Sequence, residues 1–242
     1  MPRFFVSYGQ YRYQDKAIAI GAVGVEQLLG LYRSVDRDSG SGWQVSFEGD
    51  LQAQFNLDKS SKDLMKTDLL FYRRPVHVPK MAMSYRVLLY HQSSHLGDEY
   101  LLHGAPTRVE FSYEALNVVQ SYEWSEWRDY YGGEVILRKE PNTLETLSVQ
   151  GGIEFNGSSF VCGRSVPVVG IDLKSTELHD LAINTSLVVG LEFIGSPDQD
   201  RHIRVVLELY KVYNPARTVL YKEHEDTVLR HRYLLRLLSN SF

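Results

Sequence analysis

Residues 43–57 read WQVSFEGDLQAQFNL. From Trp43 onward every odd position is apolar except Gly49, and every even position (Gln44, Ser46, Glu48, Asp50, Gln52, Gln54, Asn56) is polar. Successive side chains on a strand point to opposite faces, so this is one two-faced strand of fifteen residues. Strands of ordinary globular proteins run to roughly 5–6 residues, whereas one tilted across a bilayer needs about 9–11 plus its overhang. The length predicts a transmembrane β-barrel.

The same period returns along the chain. Leu147, Val149, Ile153 and Phe155 alternate with Ser148, Gln150, Glu154 and Asn156; Leu187, Val189, Leu191 and Phe193 with Ser186, Gly190 and Glu192; Ile203, Val205, Leu207 and Leu209 with Arg204, Glu208 and Tyr210. Turn-forming clusters punctuate these runs at 36–42, 58–62, 78–80, 97–106, 139–143, 157–164, 174–180, 196–200 and 214–216. Counting between them gives eleven strands from Lys16 onward, and residues 3–12 supply a twelfth. Twelve is the even number that single-chain bacterial barrels have; ten is the alternative if two runs merge. The expected fold is therefore all-β, an antiparallel up-and-down transmembrane barrel of about 12 strands, forming one domain over residues 1–242.

Alternation alone does not say which face lies inside. A soluble sandwich would show turn signals every 8–12 residues, and here the spacing is nearer twice that. The polar row carries Glu48, Asp50, Arg86, Glu110, Glu114, Glu134, Glu154, Asp172, Glu192, Arg204 and Glu208, mostly one or two charges per strand near mid-length, as a polar lumen would. Pro75 and Pro167 mark a bulge or a strand end. Arg230, Arg232 and Arg236 share the parity of the terminal Phe242, so a parity switch or a covering element is expected there.

No apolar run approaches the roughly 18 residues of a membrane helix. The formal charge of −4 and pI near 6.1 give no basic footprint for nucleic acid. The lone Cys162 forbids an internal disulfide. The start, Met-Pro-Arg-Phe, has neither a charged n-region nor an apolar h-region, so the outer membrane of a Gram-negative bacterium as address expects a signal peptide already removed.

One stretch carries chemistry. In residues 81–95 the row Met83, Tyr85, Val87, Leu89 continues into His91, Ser93 and His95. Residues two apart on a strand have Cα atoms about 6.6 Å apart on one face, within reach for an imidazole to serve as base to a serine nucleophile. The pair belongs to the apolar, lipid-directed face. His91 lies eleven residues beyond Lys80, about 28 Å at ~3.3 Å per residue and ~40° tilt, near the outer interface where lipid ester bonds lie. A triad also wants a group that orients the histidine. Folding the next hairpin about Gly104 puts Asn117 opposite His91, and moving the hairpin centre by one residue shifts the partner by two.

The block YHQSSHLGDE at 90–99, with residues 43–57 and 63–73 before it, resembles a bacterial family of unknown function predicted to form outer-membrane β-barrels, from about Phe4 to Phe242. That resemblance implies the fold and supplies no activity. A looser one runs to outer-membrane phospholipase A and lipid A deacylase, barrel esterases whose His-x-Ser pair faces lipid. It implies His91 as base, Ser93 as nucleophile and Asn117 in the place of the phospholipase's orienting Asn. The chain departs from both in having Ser94 and His95 where those enzymes have Asn after the serine, and it lacks a clear counterpart of the phospholipase's calcium-linked Arg-Ser-Asp.

Plainer readings stand beside these. His-x-Ser near a strand end is commonly an interfacial polar cap. No cofactor is expected; Asp98 and Glu99 offer the hard oxygens calcium takes, although adjacent loop acids are more often solvated. His91 and His95, about 13 Å apart, are too distant to share one ion. Trp124, Trp127, Tyr130 and Tyr131 match an interface girdle, and Arg73 and Arg74 match lumen carboxylates. Two functions follow: a lipid acyl-ester hydrolase whose partners are membrane lipids, or a structural or narrow-pore barrel with binding loops such as 97–106.

Overall fold

In a computed structural model the described residues are 3–13, 16–38, 41–78, 83–98, 111–140, 142, 146–160, 164–176, 183–195, 201–213 and 227–239. Glu99, Gly104, Glu110, Cys162 and Phe242 lie outside them, as do the side chains of Arg73 and Arg74.

Among the described residues twelve strands form: β1 (Arg3–Tyr13), β2 (Lys16–Val35), β3 (Gly42–Asn56), β4 (Leu64–Val78), β5 (Met83–Leu96), β6 (Phe111–Trp124), β7 (Trp127–Glu140), β8 (Leu147–Asn156), β9 (Ser165–Thr176), β10 (Ile183–Ile194), β11 (Arg201–Tyr213) and β12 (Thr227–Ser239). Each pairs antiparallel with its neighbours in the sequence, and β1 pairs with β12 from Phe4↔Leu237 to Arg12↔Leu229, closing the barrel. Closure follows from the solvent. In hydrocarbon each unpaired backbone group costs several kcal/mol, so a spanning sheet cannot keep an edge.

The faces settle which way the alternation runs. On β3, Trp43, Phe47 and Leu51 are exposed on the outer wall, whereas Ser46 and Glu48 are 1% and 6% exposed inside. The same outward apolar row holds for Val23, Phe71, Leu89, Val149, Ile171, Val189 and Val205. Inside lies a polar core. Glu134 accepts hydrogen bonds from Tyr90 (2.7 Å), Asn117 (3.3 Å) and Lys174 (3.4 Å). Tyr113 donates to Gln92 at 2.7 Å, Arg128 pairs with Glu154 at 2.8 Å, and His202 and Arg204 both hold Glu192. These lumen charges are paired or hydrogen-bonded, as groups removed from bulk water must be.

Two joints lock neighbouring strands from within. The Phe5 ring covers its directly paired Gly24, where an added Cβ would lie 2.1 Å from Phe5 Cε1; Tyr130 lies over Gly152 in the same way. Pro167 sits at the end of the β8–β9 ladder, one residue before the last pair Asn156↔Val168, and its carbonyl accepts from Gly157 N–H at 2.9 Å.

Both described ends of the barrel chain are at one rim, as are the strand ends that flank residues 36–41, 79–82, 125–126, 157–164 and 195–200; the strand ends that flank the longest connections, 97–110 and 214–226, are at the other. Short turns mark the periplasmic side. Around that rim run the outward aromatics Tyr32 and Trp43 (ring centroids 4.9 Å apart), Trp124 and Trp127 (6.0 Å) and Phe155 (4.9 Å from Trp127). Trp124, Trp127 and Tyr131 belong to this exposed girdle. Tyr130 does not: its hydroxyl donates to Asp172 in the lumen.

On β12 the backbone register sets positions 236, 232 and 230 beside Phe5, Gly9 and Tyr11 of β1 and Arg204, Glu208 and Tyr210 of β11. The side chains of Arg230, Arg232 and Arg236 lie outside the described set, as does Phe242, whose parity they share in the sequence.

Candidate active site on the outer wall

The outer row of β5 starts apolar at Tyr85, Val87 and Leu89 and turns polar at His91, Ser93 and His95, toward the long-loop rim. Register supplies the neighbours. His91 lies between Phe71 of β4 and Glu114 of β6, and Ser93 between Leu69 and Ser112. Glu114 in turn pairs with Arg138 of β7. One Glu114 oxygen stands 3.9 Å from His91 Nδ1 and 3.7 Å from Arg138 Nη1. Those separations exceed a hydrogen bond, so the coupling is Coulombic. The side chains of His91 and Glu114 are each 44% exposed and that of Arg138 is 82% exposed.

His91 and Ser93 therefore share one outward row, and no hydrogen bond joins them. Asn117 is not with them. It pairs with Leu88, is buried in the lumen and donates to Glu134, while its Oδ1 has no partner among the described residues. The residue opposite His91 is Glu114, which the sequence had assigned to the lumen. The reason is geometric: relative to a hairpin folded about Gly104, the real pairing is displaced by three residues. An odd displacement turns the whole strand over. Tyr113, Ala115 and Asn117 face in; Glu114, Leu116 and Val118 face out.

A second irregularity completes the patch. Between Glu114↔Arg138 and Ala115↔Ile136 the β6–β7 register shifts, leaving Leu137 as an extra residue on β7. Ile136 shares the lumen row of Glu134. Counting by twos from it, Arg138 would also point inward. The bulge turns it out instead, into register with Glu114 and His91, a common use of bulges beside functional sites. Nothing in the residue types of β7 announces this.

Beneath the patch the wall is firm. Tyr90 packs edge-on against Tyr113 with centroids 5.7 Å apart, and Ser94 donates to Asp68. Among the described residues no group of three or more His, Cys, Asp or Glu side chains is placed to hold a metal ion.

Solved structures share the architecture. The chain is similar to the outer-membrane phospholipase dimer of Salmonella typhi with bound calcium, at 10% identity and a TM-score of 0.62, covering 98% of this chain and 90% of that one. It is similar to outer-membrane phospholipase A of Escherichia coli (10%, 0.57, 98% and 90%) and to the β domain of the Bordetella autotransporter BrkA (10%, 0.50, 98% and 98%). These likenesses show the fold of an outer-membrane β-barrel. Among curated proteins no relative matches by sequence. A family profile described as "Protein of unknown function (DUF1207)" matches residues 2–234.

Proposed function

The chain belongs to that family of unknown function, so its activity has to be read from its own residues, and we propose that it is an outer-membrane lipid acyl-ester hydrolase. The observation that carries this reading is the outward row of His91 and Ser93 with Glu114 beside the histidine, at a level of the wall where apolar neighbours give way to polar ones. A histidine and a serine at that place meet acyl esters rather than water-soluble substrates. The likeness to outer-membrane phospholipases, one of them solved as an active-site mutant, supports a barrel of this shape as a scaffold for such chemistry.

The roles follow from the atoms. Glu114 faces Nδ1 of His91 at 3.9 Å and attracts it electrostatically, which leaves Nε2 to act as base. Nε2 takes the proton of Ser93 Oγ as that oxygen bonds to the acyl carbonyl carbon. Collapse of the tetrahedral intermediate breaks the ester C–O bond, and the leaving alkoxide takes the proton back from His91. Water then repeats the sequence on the acyl-enzyme, releasing a fatty acid and restoring Ser93. Backbone N–H groups of a mid-sheet strand are spent in the ladder, so an oxyanion donor here must be a side chain. Ser112, the direct cross-strand partner of Ser93, presents a hydroxyl on the same face.

The non-enzymatic narrow-pore reading gains less support from a lumen whose β5–β9 side is filled by Tyr90, Glu134 and Lys174 in one bonded chain. The test is fatty-acid release from outer-membrane lipids by the purified barrel. Ser93→Ala and His91→Ala should each abolish it while heat-modifiable gel migration stays unchanged. Equal release by the Ser93→Ala protein would overturn the reading.

A further inference from the structure

Arg138 has no assignment in the chemistry above, yet a bulge exists that places it on the outer wall. A cation facing lipid costs up to about 2–4 kcal/mol at the midplane and little near the interface. It is held there only loosely, since Glu114 is 3.7 Å from one of its nitrogens and the guanidinium is 82% exposed. Most of its five donors are free for a ligand, and their planar fork suits a phosphate. The next outward residue on β7 is Glu140, paired with Ser112 and exposed.

We propose that the ester lipid handled by this site is a phospholipid with an ammonium-bearing headgroup, its phosphate held by Arg138 and its ammonium by Glu140. The inference rests on the hydrolase reading for its ester, and on the bulge for its headgroup. Spacing supports it. Ser93 and Glu140 lie in one register line two strands apart, about 10 Å between Cα atoms; Arg138 lies two residues lower, about 12 Å from Ser93. The length of an arginine side chain brings its fork to within roughly half that distance of Ser93, the scale on which a glycerol backbone separates an acyl ester from its phosphate. Along β7 Glu140 stands nearer the long-loop rim than Arg138, which places the amine toward water relative to the phosphate; Ser93 shares the Glu140 line, so the glycerol must lie along the wall between them.

The test compares three diacyl substrates in mixed micelles: phosphatidylethanolamine, phosphatidylglycerol and diacylglycerol. The wild-type barrel should favour them in that order. Arg138→Ala should lower the phosphatidylethanolamine-to-diacylglycerol rate ratio about tenfold, Arg138→Lys less, and Glu140→Ala should bring phosphatidylethanolamine down to the phosphatidylglycerol rate. A fall of all three rates by one factor in Arg138→Ala, or equal wild-type rates, would overturn the proposal. Phospholipid retained per purified barrel, measured for Ser93→Ala with and without Arg138→Ala, reads the headgroup site without turnover. Retention that needs Arg138 in a barrel that hydrolyses nothing would remove the esterase reading and keep the headgroup site; retention independent of Arg138 would remove the site.

Discussion

The lumen network centred on Glu134 can be tested at Tyr90. The Tyr90 hydroxyl donates to Glu134 Oε2 at 2.7 Å, and the carboxylate is 11% exposed. A hydrogen bond to a charged acceptor contributes about 1.5–3 kcal/mol. The other two contacts are weaker by geometry. Asn117 is 3.3 Å from the same oxygen, and Lys174 is 3.4 Å from Oε1 with a side chain 36% exposed, so solvent screening holds that pair to about 1 kcal/mol or less. Tyr90→Phe should therefore cost about 2 kcal/mol and Glu134→Ala about 3 kcal/mol, with a coupling between the two of roughly 1.5–3 kcal/mol in a double-mutant cycle. The assay is reversible urea unfolding in phospholipid vesicles, followed by fluorescence of Trp124 and Trp127. Coupling below about 0.5 kcal/mol would show that this bond does not tie β5 to β7 over the intervening β6.

Two further perturbations address the wall. Gly24→Ala puts a Cβ 2.1 Å from the Phe5 ring and should destabilise the barrel by about 1–3 kcal/mol, with Phe5→Leu in the same chain restoring part of the loss in the same unfolding measurement. Val189→Arg, flanked outside by Val169 and Leu207, should cost about 2–4 kcal/mol, whereas Ile183→Arg near the long-loop rim should cost about 0–1 kcal/mol; equal costs would deny the depth assigned to β10.

What the residues announce in advance, and what they do not, has a physical pattern. β3 is legible because all its even positions are polar and nearly all its odd positions apolar, so only one face assignment buries its charges. β6 is not. In FSYEALNVVQSYEW the outward row is mostly apolar in its periplasmic part (Leu116, Val118, Tyr122 and Trp124, with Gln120 among them) and polar at Ser112 and Glu114, beside the proposed site. A strand whose lipid-facing residues turn polar at a functional patch loses the contrast that fixes its parity. Its register then hangs on the connection 97–110, whose centre composition does not fix, and a displacement of three residues exchanged Asn117 for Glu114. His91 and Ser93 were legible because β5 carries a clean apolar row up to Leu89. Arg138 was not, because a bulge is a break in periodicity, and counting by twos assigns the residues beyond it to the wrong face.

The account stands on lipid contact by the odd-numbered residues of β3. Single cysteines at positions 44–54 in a Cys162→Ser chain, labelled with a fluorophore in vesicles of brominated lipid, measure this directly. Strong quenching at Val45, Phe47, Leu51 and Ala53 and weak quenching at Gln44, Ser46, Glu48, Gln52 and Gln54 is the expected result. The reverse phase, or quenching that does not alternate, would contradict a barrel with its apolar face toward hydrocarbon and, with it, the placing of His91 and Ser93 against lipid.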